Sequence, residues 1–108
     1  MNGIFHGLSF NGDISEWDVS NVEDMANMFD HCTEFTGINT NLTNWDVSKV
    51  KNMSSMFYTC SFNGIHNDLA NWDVSHVENM ENMFAYSPFN SDISNWNVSH
   101  VKYMDSMF

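Results

Sequence analysis

The sequence predicts an α/β repeat fold: a solenoid of four turns, each a short strand plus a short helix, with a narrow parallel sheet along one side. Three observations lead there. One block recurs as Trp17-Asp18-Val19-Ser20-Asn21-Val22, Trp45-Asp46-Val47-Ser48-Lys49-Val50, Trp72-Asp73-Val74-Ser75-His76-Val77 and Trp96-Asn97-Val98-Ser99-His100-Val101. Each block is followed at a fixed offset by Met-x-x-Met-Phe, ending at Phe29, Phe57, Phe84 and Phe108. The resulting unit of 24 to 28 residues is too short to bury an apolar face alone, so each copy must lean on its neighbours.

The units run 6–29, 30–57, 58–84 and 85–108, with residues 1–5 closing a partial leading copy, and together they make one domain over 1–108. In each unit Trp-x-Val sets two apolar side chains on one side of an extended segment, with Asp18, Asp46, Asp73 or Asn97 pointing away; this is the predicted strand. Ser20 with Glu23 and Ser75 with Glu78 then match the capping box that opens a helix. Val22, Met25, Met28 and Phe29 follow at the spacing of a helical apolar stripe, repeated in the other copies. Extra residues fall only before the tryptophan, around Gly37-Ile38-Asn39-Thr40 and Gly64-Ile65-His66-Asn67, as expected of a surface loop. Stacking in this register alternates the charges of the column Glu23, Lys51, Glu78, Lys102.

Composition narrows the partners. Three Lys, no Arg and fourteen Asp plus Glu leave a net charge of −11, the wrong sign for nucleic acid or anionic lipid, so neither is expected as a partner. No apolar run is long enough to cross a bilayer and the start Met1-Asn2-Gly3-Ile4-Phe5 has no signal-peptide pattern, so no direct membrane insertion is expected. No nucleophile motif, phosphate loop or dinucleotide fingerprint occurs, so neither an enzyme nor a cofactor is expected.

The units Phe-Asn-Gly-Asp-Ile-Ser-Glu-Trp-Asp-Val-Ser-Asn-Val (10–22) and Phe-Asn-Ser-Asp-Ile-Ser-Asn-Trp-Asn-Val-Ser-His-Val (89–101), with Met-x-x-Met-Phe after them, resemble the repeat of BspA-type surface proteins, across essentially the whole chain. The resemblance implies a leucine-rich-repeat-like solenoid, adhesion or host-protein binding, and a place on a cell surface, outside the cell or on a virion as part of a longer chain. It carries no catalytic motif.

Candidate residues sort by column. Trp17, Trp45, Trp72 and Trp96, the methionines Met25, Met53, Met80, Met104, Met28, Met56, Met83 and Met107, and Phe29, Phe57 and Phe84 are the expected core. Exposed tryptophans would offer an aromatic platform and clustered methionines a soft copper site, but helical spacing beside valine and phenylalanine favours packing. Asp18, Asp46, Asp73 and Asn97, with Asn21, Lys49, His76 and His100 beside them, are the candidate binding columns. The acidic columns, including Asp13, Asn41, Asp68 and Asp92, have the oxygen donors calcium needs but no calcium-loop signature, and turn-forming bonds to neighbouring amides are the favoured explanation. Cys32 and Cys60 sit at equivalent positions in adjacent units, as a disulfide in an oxidising compartment or as small core thiols in a reducing one. Two cysteines with scattered histidines fall short of a zinc set, so no metal is expected. The resulting expectation is a non-enzymatic scaffold that binds a protein partner or, alternatively, copies of itself as a structural subunit of a virion, filament or surface layer.

Overall fold

A computed structural model describes residues 1–108. The α/β solenoid with a strand and a helix per turn is not what forms. There is no helix, and β pairing is confined to isolated parallel bridges joining Asp24, Asn52, Asn79 and Tyr103 in succession. The chain instead builds coils of tight turns laid one on another, joined by backbone bonds between equivalent positions of neighbouring units.

The segments read as helices show why. From Met25 to Cys32 the amides alternate in direction. Those of Met25, Asn27, Phe29 and His31 donate to the carbonyls of Asn52, Ser54, Met56 and Tyr58 on the next coil, at 2.9 Å each. Those of Met28, Asp30 and Cys32 close turns onto Met25, Asn27 and Phe29 at 3.0–3.3 Å. Asn27 and His31 have positive φ, 57° and 58°, as a run of turns with a left-handed third residue requires. The same two positions recur as Ser55 and Thr59, then Asn82 and Tyr86, with φ between 50° and 58°. Apolar residues at i, i+3, i+4 and i+7 therefore face inward here with a four-residue turn period, which mimics the helical stripe. A helix of so few residues is marginal, and Asn and Ser in it weaken it further. The chain satisfies the same amides by reaching across to the neighbouring coil.

The predicted strands and caps are corrected in the same way. Ser20 and Ser75 do not cap helices: their amides donate to the side chains of Asp18 and Asp73 at 3.0 Å, and Glu23 accepts from Lys51 rather than folding back on Ser20. Such Asx turns recur at corners of the coils. Asp18, Asp46, Asp73 and Asn97 accept from Ser20, Ser48, Ser75 and Ser99, while Asp24, Asn52 and Asn79 accept from Ala26, Ser54 and Glu81. The abundance of Asn, Asp and Ser follows from that task.

Inside the coils, like lies over like. Phe5, Phe29, Phe57, Phe84 and Phe108 stack with ring centroids 5.4–5.6 Å apart. A second column, Phe10, Phe35, Phe62 and Phe89, runs beside it at 5.8–6.1 Å spacing, and each of its rings lies 4.0–4.4 Å from one of the first column. Trp45, Trp72 and Trp96 are buried and donate their indole N–H to the carbonyls of Ile14, Leu42 and Leu69 on the preceding coil. Met25, Met53, Met80, Met28, Met56 and Met83 are fully buried.

Trp17 and Met104 depart from the expected core: they are 37% and 41% exposed. Cys32 and Cys60 are free thiols, with no disulfide between them. Their S–H groups turn to the backbone carbonyls of Phe5 and Phe35, and burial pushes Cys60 up to about 12.

Gly37 is a packing requirement as well as a turn. Its φ is 86°, and a Cβ there would stand 2.7 Å from the buried Phe62 ring. Far-UV circular dichroism should lack the helical double minimum. Phe57→Ala, which empties a fully buried site in the double ladder, should cost about 3–5 kcal/mol in denaturant unfolding. A loss below about 1 kcal/mol would contradict the ladder.

Candidate functional site

Three polar columns come to the surface on the flank that follows the tryptophan corner. The first is Asp18, Asp46, Asp73 and Asn97, all exposed. Each side chain is held by the serine two residues on. Asp18 and Asp46 accept both the serine amide and the serine hydroxyl, the latter at 2.6 Å. In the last two coils the hydroxyls of Ser75 and Ser99 lie instead 3.4 Å from Nδ1 of His76 and His100. The serine hydroxyl and then the serine amide hold Asp18 and Asp46 below the usual carboxylate value, with Lys49 a minor contributor, and the contacts of Ser75 lower Asp73 in the same direction.

The second column is Asn21, Lys49, His76 and His100, also exposed, with the Lys49 ammonium 2.8 Å from Oδ1 of Asn21. The third carries the alternating charges: Lys51 binds Glu23 at 2.9 Å and Lys102 binds Glu78 at 2.8 Å. Those bonds, and next the charges themselves, raise both lysines and lower Glu78. Being exposed, such pairs add little stability. Their effect is to order long side chains. Lys51, His76, Glu78, His100 and Lys102 together line a shallow hollow of about 170 Å³ that no hydrophobic residue borders.

All eight predicted binding residues thus lie on one face, with Lys51, Glu78 and Lys102 added by the third column. Of the other acidic positions, Asp13, Asn41 and Asp92 make Asx turns with Ser15, Thr43 and Ser94. Asp68 is buried and accepts the Leu42 amide of the preceding coil instead.

Two features escaped sequence reasoning. The column Phe10, Phe35, Phe62 and Phe89 was visible as a phenylalanine two residues before Gly12, Gly37, Gly64 and Ser91. The other is a cluster away from the flank, where His6, Asp30 and His31 place one donor atom each within 4.8 Å of the others. His6 and Asp30 lie 24 residues apart, one repeat length, which was the available signal.

The repeat model of DUF285, a Mycoplasma protein of unknown function, matches residues 1–67 and again 61–108. The chain belongs to the DUF285 family. Two overlapping matches span its whole length, so every coil, including those that carry the flank, is DUF285 sequence. This is a family of repeats like those of BspA-type surface proteins, broader than the BspA type itself. No curated protein and no solved structure matches the chain.

Acid should act through the serine-held aspartates. Their folded values lie below the ordinary 3.8, so as pH falls the unfolded chain takes up protons first. Their stabilising contribution is complete above that value and is lost as pH drops through the lowered folded values. The triple variant Asp18→Asn, Asp46→Asn, Asp73→Asn, which keeps an acceptor as Asn97 does, should show a smaller acid-induced fall in Tm than the unaltered chain. Equal falls would mean that these carboxylates carry none of the pH dependence.

Proposed function

We propose that the chain is a non-enzymatic scaffold for protein–protein recognition, of the BspA-like surface-repeat kind, acting in adhesion or partner binding at a cell surface or outside the cell. The carrying observation is the flank itself. All three lysines of an acidic chain, two histidines and the serine-held aspartates stand there in register on stacked coils. Charges of both signs alternate along it, so it suits a protein surface of complementary mixed charge better than a uniformly charged polymer. The backbone bonds between coils hold the columns in place before any partner arrives, which lowers the ordering cost of binding.

The test is surface plasmon resonance of the chain against a panel of purified extracellular proteins. Saturable binding that weakens with added salt and falls roughly tenfold or more in Lys51→Glu, Lys102→Glu is expected. Binding that the double variant leaves unchanged would place recognition elsewhere.

A further inference from the structure

We propose that His6, Asp30 and His31 form a binding site for one divalent d-block cation of the zinc type. His6 and Asp30 occupy the same position of successive coils, directly after Phe5 and Phe29, whose rings stack at 5.5 Å. Backbone bonds pin the site from both sides: Gly7 donates to the Asp30 carbonyl at 2.8 Å and His31 to the Tyr58 carbonyl at 2.9 Å. His31 takes the left-handed conformation, φ 58°, at the position filled by Gly7 in the first coil, φ 67°. That turn brings its ring beside the carboxylate of the preceding residue.

The donor atoms converge. Asp30 is 8% exposed, and its two oxygens face one imidazole each: Oδ2 lies 3.0 Å from Nδ1 of His6 and Oδ1 lies 2.5 Å from Nδ1 of His31. The imidazole rings stand 5.9 Å apart, and the Tyr58 ring walls the far side, 5.5 Å from His31. Both histidines are more than half exposed, so the outward side is open to water and to an arriving ion. Two imidazole nitrogens and one carboxylate oxygen are the donors zinc and its neighbours take, with a solvent molecule left to complete four-coordination. Calcium prefers an all-oxygen shell and is disfavoured.

Charge supports the same ligand. All three lysines lie on the recognition flank, and none forms an ion pair with Asp30. The buried carboxylate therefore has only the two histidines as partners, and one divalent ion would supply the charge in place of two imidazole protons. The site occurs once per chain, because the equivalent positions in later coils are Tyr58 with Thr59 and Ala85 with Tyr86, which offer no such set.

Isothermal titration of Zn²⁺ alone into the intact, untagged chain tests this. One ion per chain should bind near neutral pH. His6→Gln and His31→Gln should each lower affinity roughly tenfold or more, while His76→Gln, His100→Gln leaves it unchanged. His6 is exposed, so its substitution tests the site with the fold intact, as matching circular dichroism will verify. No binding by the unaltered chain, or equal affinity in His6→Gln, or a loss confined to the His76 and His100 variant, would overturn the proposal.

Discussion

The alternation of backbone amides between Met25 and Cys32 is the constraint on which the structure rests. One amide closes a turn within its own coil and the next crosses to the neighbour, so no coil completes its bonding alone. A unit of this length has neither the helix length nor the paired strands to satisfy itself, and unpaired buried amides are too costly to leave. Stacking is therefore obligatory. It also fixes register, because a slip of one residue would exchange inward and outward amides.

From that register come the columns. Phenylalanines lie over phenylalanines because each phenylalanine amide bonds the carbonyl just before the equivalent phenylalanine of the next coil, as with Phe29 to Met56 and Phe57 to Met83. Aspartate and asparagine corners repeat for the same reason, each turning the chain with a side-chain acceptor where a helix or strand would use a backbone one. The polar flank is the outward face of this arrangement. Its alternating glutamates and lysines match because stacking sets them side by side, while the exposure that weakens them as stabilising pairs leaves them accessible to a partner.

Breaks in the repetition are informative in a molecule so regular. Most columns carry one residue type, and a structural explanation covers them. Asp30 and His31 differ from their counterparts Tyr58 and Thr59, and the difference places a buried carboxylate against two imidazoles. Asp68 similarly leaves the Asx pattern of its column to bond the Leu42 amide on the preceding coil. At such departures the backbone is still held by the neighbouring coils while the side chain differs from its counterparts.

The sequence by itself determined the repeat, most of the inward-facing tryptophans, methionines and phenylalanines, and the pairing of Glu23 with Lys51 and Glu78 with Lys102. Those follow from residue identity recurring at fixed offsets. Only the tertiary structure decided that Met25-Ala26-Asn27-Met28-Phe29 coils through left-handed turns instead of a helix, since both conformations bury the same positions and only the bonds to the next coil distinguish them. It likewise decided that Trp17 and Met104 stand exposed, that the thiols of Cys32 and Cys60 turn to backbone carbonyls, and that His6 meets Asp30 and His31. Each depends on which coil lies against which, a contact between residues more than twenty positions apart that no local pattern specifies.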